Sequence, residues 1–192
     1  MIIKSDSTYS DLEFNETILT DIKLYNIDFT NCIFRNCDFS NNHFNNCFFE
    51  KCIFNNCNLS NIDFEKTKII DTKYISSKLI GIDWNKVSKE LGLKLYCEKS
   101  DLSFSPFFDI DISESIFKSC RLKGIDFERV IAIRTNFESS DFTDSRFLDC
   151  DLRESIFLNA KGYTIDIKSN KCKGALFTNP DVLSLLYLQG IK

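Results

Sequence analysis

The sequence predicts an all-β solenoid, a chain that turns once every five residues and stacks on itself every twenty. Three features of the 192-residue chain carry that prediction. Large apolar residues recur at every fifth position. A small or modest side chain, often cysteine, stands two residues before each of them. Glycine and proline number only 6 and 2 against 19 phenylalanines and 9 cysteines, an imbalance foreign to an ordinary globule. The 43% hydrophobic content excludes a disordered chain.

The first run of repeat centres goes from Tyr9 through Phe14, Leu19, Leu24, Phe29, Phe34, Phe39, Phe44, Phe49, Phe54, Leu59, Phe64, Ile69, Tyr74 and Leu79 to Trp84. The second resumes three residues out of register at Cys97. It continues through Leu102, Phe107, Ile112, Phe117, Leu122, Phe127, Phe137, Phe142, Phe147, Leu152, Phe157, Ile167, Cys172 and Phe177, with Ala132 and Gly162 as weak steps. Sixteen of the 19 phenylalanines are centres. A helix would smear a five-residue period around its axis, because each step advances about 500°. A strand would flip every second centre to the opposite face. Only a chain that bends once per period keeps all of them inside. Four bends close a coil of twenty residues, consistent with the recurrence of Cys32-Ile33-Phe34 as Cys52-Ile53-Phe54.

The position two before the centre holds Cys32, Cys37, Cys47, Cys52, Cys57, Cys120 and Cys150, while Cys97 and Cys172 are centres, so every cysteine is assigned inward. Small buried thiols are the favoured reading over disulfides or a metal site. No CxxC occurs, and five-residue spacing sends adjacent cysteines to different faces. No apolar run has the length of a signal peptide core or a membrane span, so a cytoplasmic protein with reduced cysteines and no membrane contact is expected.

Residues 85–96 break the rhythm, dividing the array into repeats 7–84 and 95–178 of a single domain spanning 1–178. Val87 and Leu91 are four apart and Gly92 is placed to stop a short helical turn. Lys66 to Lys99 holds eight lysines against Asp71, Asp83, Glu90 and Glu98. Two readings stand: a projecting loop that touches a partner, or a kink that re-registers two stacks of coils. After the array, Asn179-Pro180-Asp181 reads as a helix start, and the segment from Val182 to Leu188 is apolar on nearly every side. A short terminal α-helix over 179–192 follows, covering the open end of the solenoid and offering a second face to a partner.

Catalytic signals are weak. The single histidine, His43, precedes a centre and points outward, and GxSxG, HExxH and Walker lysine motifs are all missing. A non-enzyme without cofactor is expected, and the net charge of −4 argues against direct binding to nucleic acid. The position before the centre is also outward, and it is Asp at 28, 38, 63, 83, 101, 111, 126, 141, 151 and 166. Acids concentrate at Asp6 to Asp28, Asp101 to Glu114 and Glu138 to Glu154. Rows of carboxylates on a rigid rod are able to imitate the field of a duplex, though coils repeat at about 4.8 Å and phosphates at about 3.4 Å. Ordinary solvated repeat positions remain the alternative. Outward Ile33, Ile53 and Phe48 have two readings, a protein-docking patch or β-favouring residues beneath the loop.

Cys37-Asp38-Phe39-Ser40-Asn41, Ser140-Asp141-Phe142-Thr143-Asp144 and Cys150-Asp151-Leu152-Arg153-Glu154 resemble the A(D/N)Lxx units of pentapeptide-repeat proteins. The resemblance implies a right-handed quadrilateral β-helix of about eight coils. The single interruption after Gly81-Ile82-Asp83-Trp84, the closing Ala175-Leu176-Phe177 and the terminal Gln189-Gly190-Ile191-Lys192 further resemble the Qnr quinolone-resistance branch. That likeness implies a DNA-mimicking homodimer acting on DNA gyrase or topoisomerase IV. Carried onto this chain, the implied topoisomerase surface comprises Asp101, Asp109, Asp111, Glu114, Glu138, Asp141, Asp144, Asp149, Asp151 and Glu154. Lys86, Lys89, Glu90 and Leu91 form the implied loop contact, and Val182, Leu183, Leu185, Leu186, Tyr187 and Leu188 the dimer interface. A scaffold or adaptor with no topoisomerase partner is the rival reading.

Overall fold

The computed structural model describes residues 3–90 and 92–178, which wind as a parallel β-solenoid of about eight turns. Partners are twenty residues apart along most of the rod, as in Phe14↔Phe34 and Phe34↔Phe54. Four faces follow one another around each coil. The first begins with Ser7–Ser10, Ile27–Thr30, Phe48–Glu50 and Lys68–Ile70. The second is a six-stranded sheet from Glu13–Asn15 to Ile116–Lys118, extended by the bridges Ile116↔Asn136 and Asn136↔Ile156. The third consists mainly of single bridges, from Ile18↔Asp38 to Arg121↔Asp141. The fourth carries Lys23–Tyr25 and His43–Asn45 low on the rod, and Phe107–Phe108, Asp126–Glu128 and the end of Asp141–Leu148 above.

The bend between faces has a local cause. Two residues after most centres the backbone enters the left-handed region, at 27 non-glycine positions among the described residues, and all but Phe104 are Asn, Asp, Ser, Glu, Lys or Arg. Asn and Asp tolerate that conformation because their short polar side chains hydrogen-bond locally, so the chain dispenses with glycine. In the lower coils these corners stack as amide ladders, with Asn56 donating to Asn36 at 2.8 Å and Asn46 donating to Asn26 at 2.8 Å.

The small residue two before the centre has a definite task. Backbone pairing leaves centre carbonyls without a ladder donor, and where the inward residue of the next coil is a Cys, Ser or Thr its thiol or hydroxyl supplies one. Cys52 Sγ donates to the Phe29 carbonyl (3.4 Å), Cys120 Sγ to that of Cys97 (3.3 Å) and Ser140 Oγ to that of Phe117 (2.7 Å). Hydroxyls also accept, as Ser140 does from the Cys120 N–H at 2.9 Å. Buried Asn42 and Asn170 do both with one amide each. Burial pushes the Cys52 and Cys120 thiols up to about 12, so they stay neutral donors. Eight cysteines are buried and free; Cys172, near the upper end, is free and half-buried.

Centres stack into aromatic ladders. Phe14, Phe34, Phe54 and Tyr74 lie ring on ring at 5.0, 4.5 and 5.3 Å, and Phe117, Phe137, Phe157 and Phe177 at 5.4, 5.0 and 5.1 Å. Each buried Phe contributes roughly 1.5–3 kcal/mol against the ordering entropy of so extended a chain.

Two irregularities modify the lattice. On the second and third faces pairing crosses the interruption, where Lys73↔Tyr96 and Lys78↔Asp101 replace a twenty-residue step with one of 23. Ser88 N–H still bonds to the Thr67 carbonyl (2.9 Å), and Ile116 N–H bonds to that of Leu95 (2.8 Å). Val87, Leu93 and Leu95 are buried in the core. The excursion is therefore a three-residue insertion at one corner, in the geometry of a re-registering kink. The helical element here is a single 3-10 turn, Trp84–Lys86, capped by Asp83, whose side chain accepts from the Asn85 N–H.

The second irregularity corrects the centre assigned to Ile167, which is 44% exposed. Buried Ile165 pairs with Phe147 instead, because the register slips by two residues between Asp141↔Lys161 and Ser145↔Tyr163. Gly162 permits the short cut: at φ 72° a Cβ there would meet the Thr143 backbone nitrogen at 2.8 Å. A turn over 166–170 restores the register at Asp151↔Lys171. The expected terminal helix over 179–192 lies outside the described residues.

Candidate interaction surface

The outward positions of the rod form columns, one residue per coil. Residues twenty apart along a column are neighbours, so the charge pattern at that spacing sets the electrostatics of each face. On the third face the column reads Lys78, Asp101, Arg121, Asp141, Lys161, alternating in sign at every step. At the corner between the first and second faces it reads Lys51, Asp71, Lys94, Glu114, Arg134, Glu154. Lys94 pairs with Glu114, Arg134 with Glu114 at 2.8 Å, and Arg134 with Glu154 at 4.0 Å.

Most of the implied topoisomerase-binding carboxylates therefore lie inside ion-pair columns. Asp101 meets Arg121 (2.8 Å), Asp109 meets Arg129 through two parallel bonds (2.7 and 3.0 Å), and Glu138 meets Lys118 (3.2 Å). Asp141 lies between Lys123 (3.2 Å) and Lys161 (3.7 Å). Asp151 is clamped by Arg153 (2.7 Å) and is 9% exposed, so this position does not point freely outward. Asp111, Asp144 and Asp149 have no cation within ion-pair distance among the described residues. The ten acids do not form one bare row; they are distributed over all four sides of the upper half.

Several of these aspartates also hold the turn that follows them. Asp101 accepts from the N–H and hydroxyl of Ser103 (3.0 and 2.6 Å), Asp141 from those of Thr143 (3.0 and 2.6 Å), and Asp111 from the N–H of Ser113 (2.8 Å). Partial burial pushes the Asp101 carboxyl up, but the Ser103 bonds and Arg121 outweigh it and hold it below the usual range. The Lys94 and Arg134 hydrogen bonds hold Glu114 down to about 2. These acids therefore contribute to folding whatever else they bind.

The loop residues are tied to the rod. Lys86 pairs with Asp63 (2.8 Å), Glu90 with Lys68 (2.8 Å), and Lys89 Nζ reaches the Asp109 carbonyl at 3.5 Å. Leu91 lies outside the described residues, as do Val182, Leu183, Leu185, Leu186, Tyr187 and Leu188 of the dimer segment. His43 is half-exposed, its Nδ1 3.6 Å from Asp63.

Composition did not disclose the partner cations of the upper half, Arg129, Arg134, Lys118 and Lys161 among them. A signal was present in the opposite charges offset by twenty residues. The acid concentration at Asp6 to Asp28 takes a defined place on the rod. All four corners of the first described coil are acidic, Asp6, Asp11, Glu16 and Asp21, each left-handed. Asn26 and Asn31 in the next coil donate to Asp6 (2.7 Å) and Asp11 (3.2 Å).

Two family matches cover more than half of the chain, a pentapeptide repeat region over residues 27–90 and pentapeptide repeats over residues 120–157. No curated protein matches significantly in sequence. Among solved structures, a trypsin-treated form of QnrB1, described as a plasmid-mediated fluoroquinolone resistance protein, aligns with TM-score 0.60 and 16% identity over 98% of both chains. Full-length QnrB1 aligns with TM-score 0.55 and 19% identity, over 96% of this chain and 100% of the other. At such identities the likeness is one of fold. With its five-residue lattice and four-faced parallel coil, the chain belongs to the pentapeptide-repeat family.

Proposed function

We propose that this chain is a Qnr-like protein that binds a type II topoisomerase, DNA gyrase or topoisomerase IV, and protects it from quinolones or peptide poisons. The observation that carries the reading is the end-to-end likeness to a fluoroquinolone resistance protein, which leaves 2% of either chain unmatched. A rigid rod of stacked coils with charges at regular intervals suits a groove built for duplex DNA. Because its carboxylates alternate with cations, the imitation is of a patterned field and not of a phosphate row. The acids free of ion pairs, Asp111, Asp144 and Asp149, together with the acidic first coil, carry the net negative potential. The reading includes a homodimer through residues 179–192, a cytoplasmic location and an action without catalysis.

A gyrase supercoiling assay with a fluoroquinolone is the direct test, and protection or inhibition at micromolar protein is expected. Loss of both sinks the reading. Charge reversal at Asp144 and Asp149, corner acids free of ion pairs, is expected to abolish the effect, with circular dichroism confirming the fold. Light scattering on wild type and a Leu185→Asp variant tests the dimer, which fails if the wild type is a monomer.

The adaptor reading keeps one observation of its own. A groove of about 470 Å³ beside the insertion is lined by Ile53, Tyr96 and Ile116, with Lys73 Nζ 5.2 Å from the Tyr96 ring centre. An Ile53→Asp variant that still protects gyrase removes that groove from the mechanism.

A further inference from the structure

Three of the 19 phenylalanines are off the five-residue lattice, and two of them, Phe104 and Phe108, lie in one coil of the fourth face with Pro106 between. All three are exposed, Phe104 from the corner turn, Pro106 after it and Phe108 from the strand. Phe104 is 69% exposed and Phe108 42%, the latter beneath the Arg129 guanidinium at 4.2 Å.

Phe104 is also the one apolar residue among the non-glycine positions with positive φ, at 61°. A left-handed backbone costs a residue with a Cβ roughly 1–2 kcal/mol, and a bulky ring is an outlier there. Its column neighbours are Gly81 below and Gly124 above, while the lower coils of the same corner hold Asn41 and Asn61. A Cβ on Gly124 would meet the Phe104 ring at 2.6 Å. The corner is thus cleared for a strained ring that stays in solvent. Folding gains little from this arrangement, and strain of that kind marks sites kept for another purpose.

The surroundings specify the partner. Outward positions of the fourth face and its corners in this coil, the one below and the two above carry Asp83, Asp109, Asp126, Glu128, Asp144 and Asp149 against Lys86, Arg129 and Arg146. Six acids against three cations place a balance of −3 here, from a chain total of −4. Just above the rung a groove of about 370 Å³ is lined by three carboxylates, Asp126, Glu128 and Asp166, with Leu148, Thr164 and one cation, Arg146, which is bonded to Asp126 (2.6 and 2.9 Å).

We propose that the Phe104-Pro106-Phe108 rung is the docking edge for a basic protein surface, with the Phe104 ring entering an apolar pocket and a partner Lys or Arg entering the adjacent carboxylate-lined groove. The proposal rests on the topoisomerase reading for the identity of that surface and adds which face of the rod meets it. Buried aromatic anchors dominate interface energetics, whereas flanking charges chiefly set association rate and salt dependence.

The test measures binding of the full chain to purified gyrase and topoisomerase IV, with thermal melts alongside. Phe104→Asn gives the corner a residue suited to its backbone, so Tm is expected to equal or exceed that of wild type while affinity falls at least tenfold. Asp144→Asn is expected to weaken binding several-fold at low salt and little at high salt. Ile18→Ala, which removes an equally exposed apolar side chain at the far end of the rod, is expected to change nothing. Unchanged affinity in Phe104→Asn overturns the inference and leaves the topoisomerase reading standing. A Tm below wild type overturns it also, because the ring would then serve the fold. Equal loss in Ile18→Ala reduces the effect to general stickiness and overturns it. A wild type that binds neither enzyme fails the topoisomerase reading and this inference together, a result separable from the first by the wild-type titration alone.

Discussion

The lower coils, up to Ser88, and the upper coils, from Leu95 to Thr178, solve the same stacking problem with different chemistry. Below the insertion, corners are joined by neutral amide ladders such as Asn26–Asn46 and Asn36–Asn56, and Arg35 is the single arginine. Above it five arginines appear, and corners and faces are joined by ion pairs at a spacing of twenty, Arg121–Asp101, Arg129–Asp109, Arg134–Glu114 and Arg146–Asp126. The backbone path is common to both. Side-chain identity at the corners is thus free to vary so long as neighbours one coil apart complement each other, and that freedom lets amide ladders prevail in one half and ion pairs in the other.

The halves also meet differently inside. Every aromatic pair among the described residues lies wholly at or below Trp84 or wholly at or above Phe107. At the seam, Cys97 stands in the column between Tyr74 and Phe117, so the ring ladder of the second face is interrupted. Tyr74 Oη and Trp84 Nε1 are buried there without a hydrogen-bond partner. Backbone pairing, aliphatic packing and the inward hydroxyls of Ser100 and Ser105, which donate to the Tyr74 and Leu79 carbonyls (3.1 and 2.9 Å), join the two stacks in place of ring contacts.

The largest effect is expected from cutting a ladder within one half. Phe54→Ala or Phe137→Ala is expected to cost about 3–5 kcal/mol in urea unfolding. Hydrogen exchange in Phe54→Ala should speed most in the lower coils; uniform acceleration would show that the seam transmits stability fully. Next in size is removal of an inward donor. Cys120→Val strands the Cys97 carbonyl and is expected to cost about 1–3 kcal/mol, whereas Cys120→Ser, which reproduces the bond made by Ser140, should cost less. Smaller again is the seam itself. Tyr74→Phe deletes a buried hydroxyl that lacks a partner and is expected to be neutral or stabilising by up to about 1 kcal/mol; a clear loss would mean that the hydroxyl is satisfied in solution.

The gentlest probe is pH. Glu114 is held below its ordinary 4.5, at about 2, by Lys94 and Arg134, so its contribution is present above the ordinary value and fades as pH falls through about 2. Asp109 and Asp141, held down by Arg129 and by the Thr143 and Lys123 bonds respectively, act in the same direction. Acid should therefore loosen the upper coils before the amide-laddered lower ones, and salt should weaken the same columns by screening. Residue-resolved exchange at pH 2 and pH 6 checks this, and equal loosening of both halves would erase the electrostatic distinction.

Much of this architecture was legible before any coordinates, because a five-residue period admits a single kind of path. The centres, the inward cysteines and the twenty-residue coil all follow from it. The end of the lattice was misread at Ile167, since a two-residue short cut at Gly162 depends on how close the Thr143 backbone approaches, a distance no periodicity contains. The stretch after Asn85 left two readings open, because burial of Val87, Leu93 and Leu95 depends on where the next coil lies. The acidic surface was legible as residues but not as a field. Asp101 and Arg121 are distant in sequence and adjacent on the rod.

What the sequence determined by itself was the winding: apolar centres every five residues, small inward neighbours and corner residues able to adopt positive φ leave the chain little else to do. What only the tertiary structure decided was the surface, which carboxylates are paired and which remain free, and that Phe104 stands strained and exposed between two glycines. The reason is physical. Winding is governed by local backbone sterics and by burial that repeats with the chain, whereas surface chemistry is set between coils, where contact follows the stacking direction and not the order of residues.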